Sequence, residues 1–154
     1  MYIVTGGAGF IGSNVVAALE SEGMGPIVVC DWLGQDAKWN NLVKRRLFDV
    51  VAPEQLFAFL NSHAGEIKGI VHMGAISATT HKDVDEIVSH NIRLSLDLWA
   101  WCTRARVPLI YASSAATYGD GNANFSDQRD AAGLDALRPL NAYGWSKHMV
   151  DRRI

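Results

Sequence analysis

Apolar residues fall along this chain in two rhythms. Short continuous runs read as strands buried on both faces: Tyr2-Ile3-Val4, Ile27-Val28-Val29-Cys30, Gly69-Ile70-Val71-His72-Met73 and Pro108-Leu109-Ile110-Tyr111-Ala112. Arg46-Leu47-Phe48, followed by Asp49, is a shorter strand candidate. Between the runs, apolar residues recur at helical spacing. Ile11, Val15 and Leu19 share one face of a first helix. Pro53 opens a second at its first turn, where proline is tolerated, and Leu56, Phe57 and Leu60 give it an apolar side. From Val84 to Arg106 the stripe is Val84, Val88, Asn91, Ser95, Leu98 and Cys102, with a polar Asn91 where an apolar residue is expected. That amide reads either as a satisfied core group or as one that organises a site through backbone or water. Gly119 to Asn141 is polar and reads as a surface excursion. Strands alternating with helices predict an α/β fold, a doubly wound parallel sheet with helices on both faces.

In such sheets the chemistry gathers beyond the carboxyl ends of the strands. The exits here are the Gly6–Gly12 loop, Asp31, Gly74-Ala75-Ile76-Ser77 and Ser113-Ser114. Thr5-Gly6-Gly7-Ala8-Gly9-Phe10-Ile11-Gly12 lies between strand and helix, as a dinucleotide-binding βαβ unit requires. The first glycines permit a sharp turn, Gly9 permits close approach of a pyrophosphate, and Gly12 permits tight packing of the helix. The pyrophosphate would rest on the free N–H groups at the helix start, near Phe10 and Ile11. Asp31, about twenty residues on, stands where an acid binds a ribose. Gly6, Gly9, Phe10, Ile11, Gly12, Asp31, Trp32, Lys38, Met73, Gly74, Ala75 and Ser77 are therefore the candidate cofactor contacts, in a Rossmann domain spanning residues 1–154. Lys38 is the cation nearest Asp31 in sequence, and either meets a 2′-phosphate or is simply solvated.

Bulk properties narrow the classes. With 154 residues, 49% apolar, the chain fits one domain or part of a larger one. A net charge of -2 gives no nucleic-acid footprint. No apolar run approaches a membrane span, and the first strand leaves no room for a signal peptide. Cys30 and Cys102 have neither metal nor disulfide-framework spacing, the histidines are scattered, and no metal is expected. These features point to the cytoplasm.

Two further stretches carry chemistry. Ser113-Ser114-Ala115-Ala116-Thr117-Tyr118-Gly119 follows the last strand, and Tyr143-Gly144-Trp145-Ser146-Lys147 places Tyr143 and Lys147 on one helical face. A phenol, with a pKa of about 10, is a poor base until a neighbouring ammonium favours its phenolate. It can then take a proton from a substrate hydroxyl as hydride leaves, while a serine hydroxyl holds the same oxygen.

Together, the glycine loop, the serine-bearing strand end and Tyr-x-x-x-Lys resemble the extended short-chain dehydrogenases/reductases, the family of nucleotide-sugar epimerases and dehydratases. The resemblance covers nearly the whole chain. It implies Ser114, Tyr143 and Lys147 as the catalytic set, with Tyr143, Lys147 and Asn91 also counted among the cofactor-site residues, Asn91 as the structural asparagine. The runs Val4 to Asn14, Tyr111 to Gly119 and Pro139 to Lys147, with Lys38, are most similar to the branch that inverts C6 of an ADP-glycero-manno-heptose, a lipopolysaccharide precursor. That branch uses bound NADP, with transient oxidation and return of the hydride, and assembles as homo-oligomers through long helices. Asp31 alone favours a free ribose and hence NAD, the alternative cofactor. Other departures are Trp32 in place of the frequent asparagine and Pro53 in place of a lysine. The family protein is about twice as long, and its other half supplies most sugar contacts, so the substrate-binding part is expected to be absent and the chain inactive as it stands. The alternatives are another nucleotide-sugar 4-epimerase or reductase of the family, or an inactive nucleotide-binding fragment. A 4,6-dehydratase fits less well, since Ala115 and Ala116 stand where its acid pair belongs.

Overall fold

A computed structural model of the chain describes residues 1–35, 37–127 and 130–154. The apolar runs form one five-stranded parallel sheet. Its strands are β1 (Tyr2–Thr5), β2 (Ile27–Cys30), β3 (Asp49–Val51), β4 (Gly69–His72) and β5 (Leu109–Tyr111), in the order β3-β2-β1-β4-β5. β1 is central: Val4 lies opposite Val29 on one side and Val71 on the other. The chain steps outward from β1 to β3, then returns past β1 to β4. Right-handed crossovers running in opposite directions put α1 (Phe10–Ser21) and α2 (Leu56–Ser62) on opposite faces. This is the doubly wound, Rossmann-like sheet that the alternation predicts. Ile3, Val4, Val28 and Val29 are wholly buried, each contributing about 1.5–3 kcal/mol.

The chain packs as two compact units. One comprises Met1–Gly74 with Cys102–Tyr111 and holds all five strands; the other comprises Ala75–Trp101 with Ala112–Ile154. In the first, Val4, Ala8, Val16, Val29 and Val71 form the core beside the glycine loop. In the second, the long helical segment opens at Asp83, whose side chain accepts from the Glu86 N–H at 3.0 Å. It runs through α3 (Val84–Ile87), a π-helical turn (Val88–Arg93) and α4 (Leu94–Ala105), of which the residues from Cys102 on belong to the first unit. The wide turn is stabilised by Ser95, whose hydroxyl donates to the Asn91 carbonyl at 2.5 Å. Short α5 (Ala131–Ala136) and α6 (Ala142–Asp151) complete this unit. Among the described residues, no helix is long and apolar enough to cross a membrane.

Several elements depart from the sequence reading. The strand expected at Arg46–Phe48 lies at Asp49–Val51, where two β-branched valines follow one another. Ile11 is exposed, and Gly12 and Val16 form the buried line of α1, because the helix rests on the glycine loop through its smallest residue. Val84 is likewise exposed; Ile87 begins the buried stripe, and the π turn shifts its phase. β5 is shorter than expected, and its central Ile110 is exposed on the edge strand. The 119–141 stretch is mostly exposed but contains α5 and the buried Leu137.

Candidate active site

The glycine loop and Asp31 lie in the first unit. Where β1 ends, the Thr5 hydroxyl lies 2.6 Å from His72 Nδ1 and accepts from the Gly74 N–H at 3.1 Å. This pins the β1 and β4 exits together and brings Met73 and Gly74 against the glycine loop. Gly6 turns there with φ +64°, and a Cβ on it would lie 2.7 Å from the Gly74 backbone. Gly12 is tighter still: its added Cβ would meet the Gly6 carbonyl oxygen at 2.1 Å. Gly9 begins α1 without any capping side chain, and Phe10 and Ile11 after it are 85% and 64% exposed. The loop is a cradle of bare backbone at the positive end of a helix, which suits a pyrophosphate.

Asp31 completes the cradle. Its Oδ2 accepts from the Ala8 N–H at 2.9 Å, and its Oδ1 from Lys38 Nζ at 2.6 Å. Lys38 also donates to the Trp32 carbonyl at 2.9 Å. The cation is thus neither merely solvated nor poised alone for a ligand; it is the counter-ion of Asp31. Trp32, half-exposed, donates its indole N–H to Glu54 Oε1 at 2.7 Å. Asn41 donates to the Ala8 carbonyl at 2.8 Å and braces the loop from outside. Sequence reasoning missed Thr5, Asn41 and Glu54. Thr5 alone had a signal, its place at the strand end.

Ser114, Tyr143 and Lys147 lie in the second unit. Asn141 caps α6 by accepting from the Gly144 N–H at 2.8 Å. Gly144 packs so closely that a Cβ would lie 2.5 Å from the Ala116 carbonyl oxygen, which docks α6 on the turn after Ser114. Tyr143 is half-buried and Lys147 is only 2% exposed. Lys147 Nζ donates to the Ala112 carbonyl at 2.8 Å. Burial pushes its ammonium down to about 8, against a smaller upward pull from Asp151. Ser114 Oγ accepts from the Ala116 N–H at 3.2 Å, so its own proton is available to another acceptor. Asn91 is wholly buried and fully used. It accepts from the Ile76 N–H at 2.8 Å and donates to the Ile76 carbonyl and to Ser146 Oγ, both at 3.0 Å. It ties the Ile76 backbone to the Ser146 side chain of α6. Ala75 is half-buried beside it, and Ser77 is exposed. A cavity of about 610 Å³ opens in this unit, lined by Ser113, Ser114, Thr117, Tyr118 and Asp151 among others.

Comparison with known proteins gives the site a family. The model of the NAD dependent epimerase/dehydratase family matches residues 2–154. The chain is 47% identical over 154 residues to an ADP-L-glycero-D-manno-heptose-6-epimerase of Nitratidesulfovibrio vulgaris (strain DP4), covering 98% of this chain and 47% of that protein. A protein of the same name from Fusobacterium nucleatum is 41% identical over 153 residues, 98% of this chain and 46% of its own. The chain therefore spans about half the length of the curated relatives it matches. Among solved structures, Helicobacter pylori ADP-L-glycero-D-manno-heptose-6-epimerase superposes with a TM-score of 0.77 at 26% identity, over 99% of this chain and 49% of that one. Bacillus cereus UDP-glucuronic acid 4-epimerase in complex with NAD gives 0.80 at 25% identity, over 97% and 49%. This chain, with its glycine cradle and its Ser114, Tyr143 and Lys147, belongs to the NAD dependent epimerase/dehydratase family.

Proposed function

We propose that this chain supplies the dinucleotide-binding and proton-transfer residues of a nucleotide-sugar epimerase that inverts C6 of an ADP-glycero-manno-heptose. The observation that carries the reading is chain-long identity of 41–47% with heptose-6-epimerases. The intact Ser114, Tyr143 and Lys147 accord with it.

The residues present fit a dinucleotide, because Gly6 and Gly12 let the loop close tightly on the Gly74 backbone and on itself, and Gly9 leaves the start of α1 uncapped. Bound there, NADP would supply a reversible hydride acceptor. The α1 N–H groups hold the pyrophosphate. For the 2′ position, the supporting observation is Lys38. Both Asp31 oxygens are occupied by the chain and the carboxylate's charge is matched, which removes the repulsion a 2′-phosphate would otherwise meet. NAD is the second reading, favoured by the Glu54 carboxylate beside Trp32. Tyr143 takes the proton of the C6 hydroxyl during oxidation and gives one back during reduction. Lys147, when protonated, stabilises negative charge on the tyrosine oxygen, and the Ser114 hydroxyl donates to the sugar oxygen. A cytoplasmic setting accords with two free, buried cysteines.

The test follows ADP-D-glycero-D-manno-heptose by NMR. The 154-residue chain is expected to bind NADP without epimerising the sugar, whereas a chain extended to the length of its relatives yields the C6 epimer and loses turnover in Tyr143→Phe. Turnover of a UDP-hexose in place of the heptose would overturn the substrate assignment and leave the family chemistry standing.

A further inference from the structure

Two consecutive residues after β5 are held by two side chains one turn apart on α6. Lys147 reaches the Ala112 carbonyl at 2.8 Å, and Asp151 Oδ2 accepts from the Ser113 hydroxyl at 2.5 Å. The next residue is Ser114. Asp151 also borders the cavity that Ser113 and Ser114 line. From this geometry we propose that Asp151 is a positioning residue for the acid–base site: it anchors the Ser114-bearing segment to α6 through Ser113 and provides the counter-charge of the buried Lys147.

Electrostatics agree in direction. The carboxylate acts to raise the Lys147 ammonium, against desolvation. Asp151 itself is raised by burial, while the Ser113 bond, His148 and Lys147 pull it down. Other charged or titratable side chains stand on the segments packed against α6: Asp85, Glu86, His90 and Arg93 on the 84–93 stretch, and Tyr118 on the turn after Ser114. Asp151 pulls the Lys147 ammonium upward, against desolvation. A buried ammonium without a counter-ion loses its proton more easily, so Asp151 sets how much of Lys147 is charged near neutral pH.

The inference rests on the acid–base roles proposed above for Tyr143 and Lys147, yet its test needs no substrate. The five lysines, Lys38, Lys44, Lys68, Lys82 and Lys147, are labelled with carbon-13 at Cε and titrated by NMR, with the Lys147 signal assigned through Lys147→Arg. Asp151→Asn keeps an acceptor for Ser113 but removes the charge; Ser113→Ala keeps the charge but removes the tether. The Lys147 midpoint is expected to fall by about half a unit or more in Asp151→Asn. It is expected to hold in Ser113→Ala and to recover in Asp151→Glu. The Ser114 amide resonance is expected to move most in Ser113→Ala. An unchanged Lys147 midpoint in folded Asp151→Asn overturns the inference, as does an equal fall in Ser113→Ala. If Asp151→Asn does not fold, the Asp151→Glu and Ser113→Ala titrations decide alone: a Lys147 midpoint that falls by about half a unit or more in either of them overturns it. The outcomes also separate from the functional reading. A shifted Lys147 with full turnover in Tyr143→Phe rejects the proposed chemistry and leaves Asp151 in its role; an unshifted Lys147 with dead Tyr143→Phe does the reverse.

Discussion

Gly12→Ala probes the cradle at its tightest point. The added Cβ would lie 2.1 Å from the Gly6 carbonyl oxygen, 2.8 Å from the Gly6 carbonyl carbon and 2.9 Å from the Gly7 Cα. Heavy atoms in ordinary contact stand about 3.5 Å apart, so the overlap is roughly 1.4 Å. All three obstructing atoms are backbone, and no rotamer change relieves them. The start of α1 and the loop must therefore move apart by more than an ångström. Overpacking of this kind costs about 1–3 kcal/mol, and backbone obstruction argues for the upper end. Against it stands a gain of about 0.4–1 kcal/mol, because alanine restricts the unfolded chain more than glycine does. The net expectation is a loss of about 2 kcal/mol, read as a lower urea midpoint at unchanged slope. The same separation spreads the N–H groups meant for the pyrophosphate. Calorimetric titration of the folded variant should therefore show NADP and NAD affinity weakened at least about tenfold, since about 1.4 kcal/mol is a factor of ten. Gly9→Ala is the control for stability: its Cβ would stand 3.2 Å from the Gly6 oxygen, so the fold should lose little. A Gly12→Ala protein with wild-type midpoint and wild-type dinucleotide affinity would refute both the packing argument and the assignment of the loop.

Other consequences can be checked alongside it. Lys38→Ala should weaken NADP binding about tenfold or more and leave NAD nearly unaffected, by calorimetry; equal effects on both would reject Lys38 as the 2′-phosphate partner. Asn91→Ala leaves the part-buried Ile76 N–H and carbonyl unpaired and should cost about 1–3 kcal/mol in urea unfolding, with Asn91→Asp retaining only the acceptor half. Lys147 gives a pH signature. Its ammonium lies at about 8 in the fold and near 10.5 when unfolded, so between those values the unfolded chain binds more protons and this group's contribution to stability rises with pH. The gain is on the order of 3 kcal/mol across the window. The Cys30 and Cys102 thiols, pushed up by burial to about 12 and about 11, act in the opposite direction above about 9. Comparing wild type with Lys147→Met cancels the thiols, and the difference between the two should grow in favour of wild type as pH rises from 8 towards 10.5. A difference independent of pH would show that Lys147 is not desolvated.

The sheet was legible in the sequence because parallel strands buried on both faces must be continuously apolar. β1, β2 and β4 stand within a residue of their expected places for that reason. β3 was misplaced because an edge strand of three residues needs only its last residue buried, and Leu47-Phe48 looked as apolar as Val50-Val51. The π turn was illegible, since a one-residue widening of a helix leaves the apolar spacing on either side nearly unchanged. The glycines and Asp31 were readable because backbone approach and strand ends constrain residue type. Lys38 was readable as a nearby cation but not as the counter-ion of Asp31, because a flexible lysine commits to a partner only once the 37–42 turn has folded. Asn41, Glu54 and the bond from Ser113 to Asp151 depend on residues far apart in the chain, and their types are common on any surface.

The most direct test of the proposed reaction follows a deuterium label at C6 of ADP-D-glycero-D-manno-heptose, in ordinary water, with the chain extended to the length of its relatives and loaded with NADP. Oxidation at C6 and return of the same hydride require the label to remain at C6 in both epimers, with Tyr143 exchanging only the hydroxyl proton. Retention of the label with progressive epimerisation is the predicted result. Loss of deuterium to solvent during epimerisation would contradict the account, because it would mean that C6 is inverted by proton abstraction from carbon rather than by hydride transfer.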